Sequence, residues 1–129
     1  MKRLFHIPTV AALLATALVI GVSACAQLGL SPADTFNKKL AAGYATVDAV
    51  AQGATALVNQ GKLGDSDKAN VVATTKAAVQ GLDLARSLYT QACPPGSPAT
   101  CTAPSATTKL EATIAVLTAM QTYLATKGN

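Results

Sequence analysis

Residues 34–60 read DTFNKKLAAGYATVDAVAQGATALVNQ, and this stretch decides the fold. Its apolar residues recur at steps of three and four, which places them along one face of an α-helix. They are Phe36, Leu40, Tyr44, Val47, Ala51, Ala54 and Val58. The helix is expected to begin at Ser31–Pro32, or at Asp34 or Thr35, and to end at Gly61, which suits a left-handed cap. A helix with one apolar face needs partners to cover it.

Two further segments, 66–92 and 105–127, show the same periodicity and supply those partners. The apolar face of the second is predicted to contain Val72, Thr75, Val79, Leu82, Ala85 and Tyr89. The face of the third is predicted to contain Leu110, Ile114, Leu117, Met120, Gln121 and Leu124. Thr108 and Glu111 have the spacing of a capping box, and Asp83 and Arg86 have the spacing of a surface ion pair.

Three helices of similar length with short connections favour an all-α fold, a small antiparallel up-down-up three-helix bundle behind an N-terminal signal segment. Many core positions are Ala or Thr, so the helices must approach closely. Gly43, Gly53 and Gly81 are expected where helix backbones nearly touch. Phe36, Tyr89, Leu110 and a cystine are expected to cluster at one end of the bundle.

The first 24 residues have the layout of a secretory signal peptide: Met1-Lys2-Arg3, a mostly apolar run from Ile7 to Val22, and small residues after it. The four residues Val22-Ser23-Ala24-Cys25, which span the end of this segment, resemble the lipobox of bacterial lipoproteins. The resemblance implies cleavage before Cys25 and a diacylglycerol on its thiol. It divides the chain into a signal peptide (1–24), a lipidated tether (25–33) and the bundle (34–129).

Two other fates of the N-terminal segment are open. Cleavage after Ala26 at an ordinary small-x-small site would release a soluble chain that starts at Gln27. An uncleaved anchor is disfavoured, because the apolar run is short for the ~20 residues of a spanning helix and contains Pro8.

The chain has three cysteines. Cys93 and Cys101 flank the stretch PPGSPAT, which cannot be helical and turns back on itself. We therefore predict a Cys93–Cys101 disulfide, which an oxidising exported compartment would preserve. A metal site is disfavoured, because the spacing is not that of a CxxC pair and no histidine completes a tetrahedral set. Acylation would account for the third cysteine, Cys25.

Loss of the signal would remove Lys2, Arg3 and His6, and eight basic residues against six acidic ones then leave a net charge of +2. This charge is too small and scattered for a nucleic-acid surface. Without histidine, a Ser-His-Asp or Cys-His arrangement is impossible. Asp65-Ser66-Asp67 does not continue as a calcium loop, which requires a glutamate where Lys76 stands. No catalytic residue, metal site or cofactor is expected.

The leading hypothesis is a non-catalytic cell-envelope lipoprotein that acts as a structural or interaction module. It would be exported, face the periplasm and contact the bilayer through acylated Cys25. Ala26 after the cysteine suggests the outer membrane. Its partner would be an envelope protein or a second copy. The alternative is a carrier that holds an apolar ligand between its helices, in a pocket lined by Leu40, Val47, Val79, Leu82, Ile114 and Leu117.

Overall fold

The computed structural model describes residues 32–129, and the signal peptide, Cys25 and nearly all of the predicted tether lie outside this range. Three α-helices make up the described chain: α1 Pro32–Asn59, α2 Asp65–Ala92 and α3 Pro104–Gly128. Each helix packs against the other two, and no strand occurs within residues 32–129. The predicted all-α three-helix bundle is confirmed.

Contacts between side chains give the direction of each helix. The ring of Phe36, near the start of α1, stacks on Tyr89, near the end of α2, with the centroids 4.1 Å apart. Lys39 Nζ of α1 lies 2.9 Å from Glu111 Oε1 in the first half of α3. The helices therefore run up, down and up. We call the end with Phe36, Tyr89 and the α2–α3 connection the cystine end, and the opposite end the turn end.

The buried face of each helix follows a seven-residue repeat. In α1 it consists of Phe36, Leu40, Gly43, Val47, Val50, Ala54 and Leu57, in α2 of Val71, Ala78, Gly81, Leu82 and Ala85, and in α3 of Ala106, Leu110, Thr113, Leu117 and Leu124. Phe36, Leu40, Val47, Ala54, Leu82 and Ala85 are buried as predicted, but near the turn end the expected faces of α1 and α2 are wrong by one residue. Val50, Leu57 and Val71 are buried there, whereas Val58 and Val72 are exposed. Gly43 belongs to the buried face but has no side chain. The apolar periodicity of the sequence therefore pointed to the neighbouring Tyr44 instead.

The expectation that helix backbones nearly touch at the three glycines is wrong, but two of the glycines lie close against a side chain of a neighbouring helix. A β-carbon on Gly81 would lie 2.5 Å from Thr113 Oγ1, and one on Gly43 would lie 2.7 Å from Leu82 Cδ2. In both places a neighbouring side chain, rather than another backbone, lies over the glycine. At Gly53 the nearest atom to a β-carbon would be 3.9 Å away, an ordinary contact distance.

The end of α1 follows the predicted pattern. Gly61 has a φ of 71°, the left-handed conformation that glycine adopts without strain. Its N–H donates to the carbonyl of Val58, and the N–H of Lys62 donates to the carbonyl of Leu57, both at 2.9 Å. These two bonds form a Schellman motif, which satisfies carbonyls at the end of the helix.

The predicted capping box of α3 is wrong. The helix begins at Pro104 with Ala103 as its N-cap, so Thr108 lies inside the helix. Proline at the first helical position needs no hydrogen-bond acceptor, which explains the earlier start. Glu111 instead pairs with Lys39 of α1.

The predicted ion pair between Asp83 and Arg86 is also absent from the described bundle. Asp83 Oδ1 instead accepts a hydrogen bond from the Tyr44 hydroxyl at 2.5 Å, which links α2 to α1. The hydrogen bond and burial both raise the pKa of Tyr44. Both corrected contacts join helices, whereas the predicted ones lay within a single helix.

Candidate functional site

An open apolar groove of about 470 Å³ runs between α1 and α2 toward the turn end. Small side chains of α1 and valines of α2 form most of its surface. Its lining residues are Ala51, Ala54, Thr55, Val58, Leu63, Lys68, Val71, Val72, Thr75, Lys76 and Val79. We call this surface the α1–α2 groove.

The helix packing explains why the groove is open. Of the three helix pairs, α1 and α2 share the least extensive contact. Ala51 and Thr55 are too short to fill the space between these helices. As a result Val72 is 67% exposed and Val58 is 37% exposed. The sequence carries a second row of apolar residues beside the core row, and the fold leaves this second row uncovered.

The two edges of the groove differ in charge. The α2 edge carries the ammonium groups of Lys68 and Lys76. Lys68 Nζ lies 3.0 Å from Asp65 Oδ1, but the side chain of Asp65 is 99% exposed, so this pair is screened by solvent. On the α1 side, a second recess of about 400 Å³ shares Ala51 and Thr55 with the groove and is lined by uncharged residues, namely Ala51, Gln52, Thr55, Ala56 and Asn59.

One hydroxyl in the groove lining has no partner. Thr75 Oγ1 is buried and makes no hydrogen bond, whereas Thr55 Oγ1 donates to the carbonyl of Ala51 at 2.8 Å. A buried hydroxyl without a partner destabilises the fold by about 1–3 kcal/mol. Sequence reasoning placed Thr75 in the core and had no signal for this feature.

A cluster of polar side chains joins α2 to α3 at the turn end. The carboxylate of Asp67 accepts hydrogen bonds from the Tyr123 hydroxyl, from Lys127 Nζ at 3.2 Å and from the N–H of Gly64 at 3.2 Å. The Tyr123 hydrogen bond, followed by that of Lys127, lowers the pKa of Asp67. The same carboxylate raises the pKa of Lys127. Lys62 Nζ donates to the carbonyl of Gly128 nearby.

The geometry of this cluster holds the start of α2 against the end of α3. Asp67 lies in the first turn of α2, and Tyr123 and Lys127 lie in the last turns of α3. A carboxylate at a helix N-terminus and an ammonium group at a helix C-terminus each interact favourably with the helix dipole and so stabilise the helix. Because the donors to Asp67 come from the protein itself, the cluster stabilises the bundle rather than presenting an open acid.

At the cystine end, Phe36, Tyr89 and the two cysteines lie together, as the sequence predicts. Cys93 and Cys101 lie at disulfide-bonding distance, with their α-carbons 5.9 Å apart. The N–H of Cys93 donates to the carbonyl of Tyr89 at 2.8 Å, and Tyr89 stacks on Phe36. A recess of about 290 Å³ lies beside the two rings, and the buried Tyr89 hydroxyl has no hydrogen-bond partner.

Most of the residues that were expected to line an internal ligand pocket are packed in the core and do not line the α1–α2 groove. Leu40, Val47, Leu82 and Leu117 are buried in the shared core, and Ile114 packs against that core. Of the six, only Val79 lines the α1–α2 groove. The α1–α2 groove itself lies at the surface of the bundle, between two helices.

Within residues 32–129, no three His, Cys, Asp or Glu side chains gather in a way that could hold a metal ion. In the same range, no helix is both long enough and apolar enough to cross a membrane. Comparison of the chain with protein-family models, curated proteins and solved structures found no match.

Proposed function

We propose that this chain is an exported envelope lipoprotein, tethered to a bilayer through acylated Cys25, and that its bundle is a non-catalytic interaction module. The observation that carries the interaction role is the α1–α2 groove, where Val72 and Val58 are exposed beside small residues. Apolar surface left open in a small domain marks a binding surface more often than scattered exposed residues do. The lipobox resemblance supports the tether.

The position of the groove supports the same proposal. A tether at Cys25 would enter α1 at the cystine end, because α1 begins there at Pro32. The groove includes Ala51 to Val58 of α1, which is about 29–39 Å further along a helix that rises ~1.5 Å per residue. The groove would therefore stand away from the bilayer, where a partner in the envelope can reach it.

The alternative function, a carrier with a ligand inside the bundle, has less support. Leu82 and Leu117 are fully buried against the other core residues, so an internal ligand would have to displace them. Close-packed interiors lose stability when side chains are forced apart. The groove is open along its length, so a small apolar ligand in it would stay partly in water.

Membrane fractionation tests the tether. The full-length chain is expected in the membrane fraction of the producing cell, and Cys25→Ser is expected in the soluble fraction. A matched control is the double variant Cys93→Ser/Cys101→Ser, which removes two thiols and should leave the protein in the membrane fraction. Recovery in membranes of Cys25→Ser that has lost its signal peptide and carries no modification would contradict the proposal.

A further inference from the structure

We propose that the α1–α2 groove binds a short amphipathic helix of a partner protein that carries carboxylates along one edge of its apolar stripe. The inference rests on the proposed interaction function and names the chemistry of the partner. It is drawn from the dimensions of the groove, its apolar lining and the difference in charge between its edges.

The dimensions fit one helix of about three turns. Along α2 the groove extends from Lys68 to Val79, about 17 Å at ~1.5 Å per residue. Ala51 and Thr55 on the opposite side are small enough to let a third helix approach the other two. The exposed Val72 and Val58 would contact apolar side chains spaced i, i+3, i+4 and i+7 on the partner.

The charges orient the partner. Lys68 and Lys76 both lie on the α2 edge, about 12 Å apart along the helix axis at ~1.5 Å per residue. The recess on the α1 side is lined by uncharged residues, including Gln52 and Asn59. A partner helix would therefore carry two Asp or Glu residues seven or eight positions apart on one edge only. Such an arrangement sets the direction in which the helix docks, because complementary charges fix register more than they add affinity.

The open shape argues against two other occupants. An acyl chain is apolar on all sides, so the open groove would leave part of its surface in water. A helix with one polar face loses nothing by that exposure. A second copy of this chain would bring two concave surfaces together at the groove and leave both unfilled.

A pair of synthetic helices tests the proposal by fluorescence anisotropy. Each labelled peptide has about 14 residues, with leucines at helical spacing and either two glutamates or two lysines along one edge of the stripe. The peptides are titrated with the mature full chain in nanodiscs. If the chain proves to lack an acyl group, the titration is done in solution, so failure of the tether and failure of the groove are distinguishable.

Four variants make the test specific. Val72→Glu places a charge in the groove, and Lys68→Glu/Lys76→Glu reverses its charged edge. Their controls are Val116→Glu, at a valine that is 51% exposed on α3 outside the groove, and Lys38→Glu/Lys109→Glu, which makes the same change in net charge. All the positions changed are exposed or at the surface, and circular dichroism verifies that each variant is folded.

The glutamate peptide is expected to bind the wild-type chain at least about tenfold more tightly than the lysine peptide, or ~1.4 kcal/mol. Lys68→Glu/Lys76→Glu should reverse this preference, and Val72→Glu should abolish saturable binding. Both controls should bind like the wild type. Equal affinity for the two peptides, no binding, or the same reversal with Lys38→Glu/Lys109→Glu would overturn the proposal. So would displacement of the peptide by dodecanoate, or a dimer that Val72→Glu alone dissociates.

Discussion

Thr113 of α3 lies against Gly81 of α2 so closely that a β-carbon on residue 81 would stand 2.5 Å from Thr113 Oγ1 and 3.1 Å from its Cγ2. Thr113 is buried, and its hydroxyl donates to the carbonyl of Lys109 at 2.9 Å. The side chain is thus held by its own helix and has little room to move. This contact limits how closely α2 and α3 can approach at the level of Gly81.

Gly81→Ala should destabilise the bundle by about 1–3 kcal/mol, because the steric conflict with Thr113 exceeds the ~1 kcal/mol gained in helix propensity. Gly53→Ala is the matched control. Its β-carbon would meet only Leu124 Cδ1, at 3.9 Å, so this variant should gain up to ~1 kcal/mol. Chemical denaturation measures both free energies of unfolding.

The double variant Gly81→Ala/Thr113→Ala checks the cause of that loss. Removing the Thr113 side chain makes space for the new methyl group, so the two changes should be strongly non-additive. If Gly81→Ala is as stable as Gly53→Ala, or if Thr113→Ala restores nothing, the close contact does not limit the approach of these helices.

Two tyrosines should respond in opposite ways to the same chemical change. Tyr123→Phe removes the hydroxyl that donates to Asp67 and should lower Tm. Tyr89→Phe removes a buried hydroxyl that has no partner and keeps the stack on Phe36, so it should leave stability unchanged or raise it by up to ~1 kcal/mol. Thermal unfolding of the two variants under identical conditions measures the difference. A larger loss for Tyr89→Phe than for Tyr123→Phe would contradict the hydrogen-bond assignment.

Asp67 should make the bundle less stable in acid. Its hydrogen bonds lower its folded pKa below the value of about 3.9 for an unfolded aspartate. The stability that it contributes is therefore present at neutral pH, declines as the pH falls below the unfolded value and is lost once the pH is below the folded pKa.

Asp67→Asn isolates this contribution. The difference in Tm between the wild type and Asp67→Asn should be full at pH 7 and should shrink toward pH 2. Asp48→Asn, at an exposed position of α1, is the control for the general effect of lost charge. A constant difference in Tm across this pH range would show that Asp67 is not perturbed by its neighbours.

The disulfide should stabilise the cystine end. Cys93 and Cys101 are separated by 8 positions, and closing a loop of this size contributes about 2–3 kcal/mol on the chain-entropy estimate. Cys93→Ser/Cys101→Ser should lose about this amount, and a reductant should lower the stability of the wild type but not of this variant. Equal stability of the wild type with and without reductant would mean that the cysteines do not pair in the protein.

The helices and their order are predictable because they depend on local periodicity and turn residues. Gly61 and the stretch between Cys93 and Cys101 mark the breaks directly in the sequence. The core face was predicted less accurately, because α1 and α2 carry apolar residues in two adjacent rows. Periodicity alone did not distinguish Leu57 from Val58 or Val71 from Val72. Only the positions of the neighbouring helices decide which row is buried.

The groove and the polar contacts could not be read from sequence for a related reason. Glu111 and Asp83 each had a plausible partner a few residues away, but the fold gives them Lys39 and Tyr44 from another helix. The Asp67–Tyr123–Lys127 cluster joins positions more than fifty residues apart. Contacts at such separations depend on helix register, which short motifs do not specify.

The mass of the N-terminal peptide, measured on protein extracted from the membranes of the producing cell, tests the account most directly. A peptide that begins at Cys25 and carries a diacylglycerol on its thiol is the result expected for a bundle tethered at its cystine end. A peptide that begins at Gln27, or an unmodified Cys25, would contradict the tether and the orientation derived from it.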